Sequence, residues 1–274
     1  MDHVNSRGYL QEKFKLFHLC DAVSLSEIES HYHSFHKLIF VESGNVAYTV
    51  EGKHYSLGAN DIVLIPLGCI HRPESSGSQP YGRYVLFLDS TFLREVGSTP
   101  IDLCFSLAAE QHNHVFRMKP EQSSSFLQRL REIETVCLDD DSYASAMLSE
   151  LLVKCMMIEL CRAVLQGTGA SPVKYDKKIS AIIAYISEEL IGDLSIDSIA
   201  EKFFISKYHL MRRFREETGY SLHRYICDKR LLFARELIAD GHSATEACYL
   251  CGYKDYSAFA RAYKKQFSHS PKIH

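Results

Sequence analysis

LSIDSIAEKFFISKYHLMRRFREETGYSLHRYI, residues 194–226, decides the fold of the C-terminal part of this chain. Ser195 precedes Ile196, Ile199, Ala200 and Phe203, the outline of a short helix ending near Phe204. Ser206 stands where it can cap a second helix, which buries Leu210 and Phe214 at i and i+4 and stops at Gly219. A short helix, a tight turn and a longer helix make a helix-turn-helix. Lys207, Tyr208, Met211, Arg212 and Arg215 cannot enter the core beside Leu210 and Phe214, so they occupy the free face, with Arg213 flanking them. Arginine can bond a guanine edge with two donors at once, and lysine neutralises phosphate. For this helix alone, a merely solvated charged face is the plain alternative.

A second copy removes that ambiguity. Ser243 and Glu246 form the S-x-x-E capping pattern ahead of Ala244, Ala247, Cys248 and Cys251. Gly252 turns the chain, Asp255 caps, and a further helix buries Phe259, Tyr263 and Phe267. Asp255, Phe259 and Arg261 lie 49 residues beyond Ser206, Leu210 and Arg212, whereas Ser243 lies 48 beyond Ser195. The second turn is therefore one residue longer. An arginine recurs at the same point of both recognition helices, and chance rarely supplies two such pairs in register. Between the copies, Ser221 starts a long helix with Leu222, Tyr225, Ile226, Ala234, Leu237 and Ile238, which ends at Asp240-Gly241. One stiff connector fixes the two readers relative to each other, and successive major-groove segments on one DNA face lie about 34 Å apart.

Residues 194–226 and 251–271 (CGYKDYSAFARAYKKQFSHSP) resemble the AraC/XylS family of transcription regulators. The resemblance covers roughly the last hundred residues, about one double helix-turn-helix domain in extent. It implies base-reading positions at Tyr208, Met211 and Arg212 in the first module and at Tyr256, Ser257 and Arg261 in the second. Lys254 and Lys265 complete the expected DNA-contacting set. Met211 replaces a more usual polar residue and Tyr256 is bulkier than common, so the target sequence does not carry over from a relative.

The 274 residues suit two domains. The net charge of −3 hides an asymmetry: residues 176–274 hold 16 Lys+Arg against 13 Asp+Glu, and residues 1–175 hold 15 against 21. A polyanion partner belongs at the C-terminal end. Nine cysteines form no disulfide framework, and the lone CxxC, Cys248 and Cys251, reads as two small apolar residues on a packed helix. Residues 1–15 lack the apolar core of a secretory leader. The apolar stretch 144–165 carries Glu150, Lys154, Glu159 and Arg162, too many charges for a membrane span. A cytoplasmic protein is expected.

Upstream the pattern is β. KLIFV (37–41), VAYTV (46–50), HYSL (54–57), IVLIP (62–66) and YVLFL (84–88) are short apolar runs separated by turn residues, which indicates an antiparallel barrel or sandwich. HYH (31–33) and PLGCIH (66–71) resemble a cupin barrel. Metal-binding cupins use H-x-H-x-x-x-E and a later histidine. Here Lys37 stands at the carboxylate position, and a cation there repels a divalent metal, so neither metal nor cofactor is expected. His31, His33, Tyr48 and His71 are the candidate ligand-facing residues, with wall or surface positions as the alternative. Residues 126–138 and 143–165 have helical spacing and suit a dimer face or an intrachain hairpin. Gln166 to Pro172 reads as a linker.

The expected organisation is α+β and multidomain. A cupin-like effector-sensing antiparallel β-barrel spans 1–118, a helical dimerisation and linker segment 119–172, and an all-α double helix-turn-helix 173–274. The expected function is a sequence-specific DNA-binding regulator, not an enzyme. It responds to a small-molecule effector (a sugar or related metabolite), acts as a homodimer, and has double-stranded DNA and RNA polymerase as partners and no membrane. The rival readings are a cupin-type metalloenzyme with an appended DNA-binding module and an effector-independent DNA-binding protein.

Overall fold

A computed structural model describes residues 10, 12–21, 30–74, 80–94, 99–139, 141–166, 173–267 and 269–271. The linker expected at 166–172 lies, beyond Gln166, outside the described residues. The chain divides into two compact units, residues 1–50 with 54–174 and residues 51–53 with 175–274.

The first unit is built on two antiparallel sheets. The strands are β1 (Phe14–Asp21), β2 (His36–Ser43), β3 (Val46–Val50), β4 (Lys53–Leu57), β5 (Asp61–Ile65), β6 (His71–Glu74), β7 (Tyr81–Leu88), β8 (Val115–Arg117) and β9 (Val173–Tyr175). One sheet has the order β1-β7-β2-β5-β8 and the other β6-β3-β4-β9. In the first, Lys37 lies opposite both Phe87 and Ile65, and Ile39 opposite Val85 and Val63.

The apolar runs of the sequence have a physical cause in this arrangement. Side chains alternate across a strand. Ile39, Val41, Val63, Ile65, Val85 and Phe87 point into a core shared with Tyr48, Val50, Tyr55 and Leu57 of the other sheet. Leu38, Phe40, Ile62, Leu64, Leu86 and Leu88 point the other way, into a second core closed by helices. A sheet buried on both faces needs no polar residue in its central strands. The helices are α1 (Ser90–Arg94), α2 (Leu103–Glu110), α3 (Pro120–Leu138) and α4 (Ser145–Leu165). Pro120 sits at the first turn of α3, where its missing N–H costs nothing. Phe126, Leu130 and Ile133 of α3 and Leu152, Met156, Met157 and Leu160 of α4 fill this outer core. No helix among the described residues is long and apolar enough to cross a membrane.

The second unit is helical: α5 (Lys177–Glu188), α6 (Ile196–Lys202), α7 (Lys207–Thr218), α8 (Leu222–Ala239), α9 (Ala244–Leu250) and α10 (Tyr256–Phe267). The caps read from the sequence are made. Ser195, Ser206 and Ser221 accept from the backbone N–H of Ser198, His209 and Arg224. Ser243 and Glu246 close a reciprocal capping box, and Asp255 accepts from Ala258 N–H at 2.6 Å. Gly219 ends α7 in the left-handed region. Replacing one such cap by alanine costs about 1 kcal/mol.

Cys248 and Cys251 are fully buried, and Cys251 Sγ donates to the Cys248 carbonyl at 3.2 Å. Burial pushes the Cys251 thiol up to about 11, so it behaves as packing.

Candidate functional site

The two halves of each recognition helix face different surroundings. In α7, Leu210 and Phe214 are fully buried, while Lys207, Tyr208, Met211, Arg212 and Arg215 are exposed, Tyr208 at 75%. In α10, Phe259, Tyr263 and Phe267 are buried, while Tyr256, Ser257, Arg261 and Lys265 are exposed, as is Lys254 in the preceding turn. The expected contact residues thus fall on one open side of each helix.

α8 packs against α7 of the first copy and against α9 and α10 of the second. Phe214 meets Tyr225 of α8 edge-on, with ring centroids 5.3 Å apart. Tyr208, Met211, Arg212 and Arg215 line an open cleft of about 650 Å³, floored by Leu222 and flanked by His223. Two of the cations have partners in the free protein. Arg212 lies 3.6 Å from Glu216 one turn on, and Lys207 pairs with Asp197 at the start of α6. Both pairs are exposed, so a phosphate or a base edge can displace the carboxylate at little cost.

Arg213, named as a flank of this face, does a different job. It pairs with Asp176, the N-cap of α5, whose carboxylate also accepts from Lys178 and Ile179 N–H. Partial burial alone raises the Asp176 pKa, but these hydrogen bonds outweigh it and hold the carboxyl below its usual value. This arginine fastens α5 to the first helix-turn-helix. The repeat could not reveal it, because the position 49 residues beyond Arg213 is Ala262, which carries no charge.

In the first unit, the structure brings together three of the four candidate ligand-facing residues. His31, His33 and His71 place ring nitrogens within 4.8 Å of one another. The backbone does this by a bridge in which His31 and His71 exchange N–H to carbonyl bonds of 3.1 and 2.9 Å. The fourth, Tyr48, lies beyond His71 and receives a hydrogen bond from Lys37 Nζ at 3.4 Å. Lys37 itself escaped the list of candidates. The sequence signal was present, since a lysine flanked by Phe35, Ile39 and Val41 on an inward-reading strand is out of place.

The metal arrangement of cupins fails in detail. His71 Nδ1 donates to the Cys69 carbonyl at 3.0 Å, which leaves Nε2 with the lone pair that a metal would need. Lys37 Nζ lies 3.3 Å from that Nε2. A donor thus occupies the ligand's lone pair, and among the described residues no carboxylate joins the three histidines. Burial, then the positive charge of Lys37, hold His33 down to about 2 and His71 well below its usual value, so both are neutral near pH 7. Burial and then Arg83 bring Lys37 down to about 7.

Comparisons with known proteins agree on both units. Residues 24–153 match the family model of the AraC-like ligand binding domain, and residues 199–273 match a helix-turn-helix domain model. The HTH-type transcriptional activator RhaS of Salmonella schwarzengrund is 23% identical over 245 residues, covering 88% of this chain and 85% of its own. A crystal structure of an apo ToxT variant from Vibrio cholerae covers 95% of this chain and 96% of its own at 13% identity, with a TM-score of 0.42. The C-terminal domain of AraT, a response regulator from Geobacillus stearothermophilus, is 26% identical over 35% of this chain and 81% of its own, with a TM-score of 0.34.

Proposed function

The chain belongs to the AraC family of transcription regulators, with an effector-binding domain ahead of a DNA-binding one, and on that premise we propose which surfaces do the work. The recognition helices α7 and α10 enter major-groove segments of double-stranded DNA. Tyr208, Met211 and Arg212 read base edges in one segment, and Tyr256, Ser257 and Arg261 in the other. Lys207, Arg215, Lys254 and Lys265 hold phosphates and set the register. One observation carries this reading. All ten side chains are exposed, while Leu210, Phe214, Phe259 and Tyr263 of the same helices fill the core.

Its curated relatives are transcription regulators, and the reading includes no catalytic step. A small molecule, a sugar or related metabolite in the reading from the sequence, binds the first unit and favours one DNA-binding state over another. The protein works in the cytoplasm as a homodimer, with RNA polymerase as a further partner. The dimer reading is favoured by α4. Met147, Leu148, Leu151, Cys155 and Leu165 are exposed along one side of that helix, an apolar stripe that no element among the described residues covers.

Selection of bound duplexes from a random pool tests the DNA reading. Wild type should enrich a site with two conserved segments about one helical turn apart. No enrichment, or enrichment of the same site at the same affinity by Arg212→Ala, would overturn it.

A further inference from the structure

We infer that the effector site of the first unit is an anion site, in which Lys37, with Tyr48 and His33 beside it, receives the carboxylate of a small organic acid. This rests on the effector-binding reading of that domain.

The starting point is an uncompensated charge. Lys37 is 9% exposed and lies on the inward face of β2, between Phe35 and Ile39 and across from Phe87. No carboxylate pairs with it among the described residues. Its contacts are the Tyr48 hydroxyl at 3.4 Å, His71 Nε2 at 3.3 Å and the Phe87 ring, whose centroid is 5.9 Å away. The charged group that acts on it is Arg83, of the same sign. A buried ammonium without a counter-charge is costly, and a leucine or methionine there would join its neighbours at no such cost. An anion beside Nζ would supply the counter-charge that keeps this lysine protonated.

The surrounding donors define what the anion must be. Both ring nitrogens of His33 are buried and without a hydrogen-bond partner. Neutral imidazole has one N–H, so His33 offers one free donor. The Tyr48 hydroxyl accepts from Lys37 and keeps its own O–H to donate. A carboxylate accepts through two oxygens with about four lone-pair sites, enough for the lysine, the phenol and the imidazole together. One lysine balances one negative charge, which favours a monoanion over a phosphate dianion. A neutral sugar would satisfy the donors but leave the charge. A divalent cation would add like charge beside Lys37. His31 is half-buried, whereas His33 and His71 are buried.

The test uses the full chain. Formate, acetate, benzoate and octanoate are each titrated beside the matching amide by calorimetry and thermal melting, with a hexose and zinc sulfate as controls. At least one carboxylate should raise the melting temperature and bind tenfold or more tightly than its amide. That binding should fall tenfold or more in Lys37→Met and several-fold in Tyr48→Phe. Should Lys37→Met not fold, the acid–amide comparison in wild type and in Tyr48→Phe decides alone. The inference is overturned if no carboxylate shifts the melting, if acid and amide bind alike, if Lys37→Met binds as wild type does, or if zinc binds stoichiometrically and is lost in His33→Ala. A hexose that binds wild type and Lys37→Met equally leaves the effector reading standing and removes this one. Carboxylate binding that leaves DNA affinity untouched supports the anion site and removes its role as effector site.

Discussion

Phe204 and Gly252 hold the same corner of the two helix-turn-helix copies. Phe204 N–H donates to the Glu201 carbonyl at 3.1 Å and Gly252 N–H to the Tyr249 carbonyl at 3.0 Å, and the residue after each reaches back to Ala200 or Cys248. Both turn in the left-handed region, Phe204 at φ 49° and Gly252 at φ 88°. Glycine reaches that region freely, whereas a side-chain-bearing residue is strained there by about 1–2 kcal/mol. Phe204 is 92% exposed and gains little packing in return. Phe204→Gly should therefore stabilise the protein by about 1 kcal/mol, less the extra entropy that glycine loses on folding. Gly252→Ala should destabilise, because a Cβ there would lie 2.9 Å from Arg230 Nε. That guanidinium ties the Leu190 and Gly192 carbonyls to α8. Urea denaturation of both variants checks the opposite signs.

Loss of Arg212 and loss of Arg261 should each weaken binding to the selected site by about 1–3 kcal/mol and relax base choice in one segment only. Lys265→Ala should weaken binding to all sequences alike and flatten the dependence of log K on log salt by about one unit. Gel-shift titrations at several salt concentrations, with sites altered in one segment at a time, separate these patterns. Equal losses on specific and random DNA for Arg212→Ala would move that residue from base reader to phosphate contact.

The double helix-turn-helix was legible because its signals are local. Ser206, Ser243 and Asp255 cap within three residues, and Leu210, Phe214, Phe259 and Tyr263 follow helical spacing. The β-domain was legible as strands, but α1 and α2 were not expected. Cys104, Phe105 and Ala108 of α2 are buried in a short helix rich in apolar residues, which leaves no amphipathic period to detect. β8 is three residues long, below the length at which alternation means anything. At the histidines, the H-x-H spacing was visible, but the bridge of His31 to His71 joins segments forty residues apart. Lys37 read as a flaw in a metal site. Its place between Phe35, Ile39 and Val41 already marked it as unusual, and the packing of β2 against β7 shows how completely it is buried.

Acid should loosen the first helix-turn-helix at the join to α5. The Asp176 pKa is depressed in the folded protein, so its contribution is complete above the unfolded carboxylate value of about 4 and is lost as pH falls through the lower folded value. Asp176→Asn keeps some N-cap capacity but lacks the charge that Arg213 pairs with. The difference in stability between wild type and Asp176→Asn should shrink as pH falls from 6 to 3. A difference that stays constant over that interval would show that the carboxylate's charge contributes nothing there.

The exposed stripe on α4 leads to the last expectation. Leu151 is 54% exposed, at the middle of the line formed by Met147, Leu148, Cys155 and Leu165. The opposite side of the helix is committed, since Leu152, Val153, Met156 and Leu160 fill the outer core. A charge at 151 therefore leaves that core untouched but becomes desolvated if a second chain covers the stripe. Leu151→Glu in a homodimer places two carboxylates in one apolar seam, and each buried unpaired charge costs several kcal/mol. Sedimentation should then show a dimer for wild type and a monomer for Leu151→Glu, with the thermal melting of the isolated chain little changed. Affinity for a single half-site should survive, while affinity for the full selected site should fall with the loss of the second chain. Were Leu151→Glu to sediment as wild type does, the stripe would not be the dimer seam, and the pairing of chains would have to run through another surface.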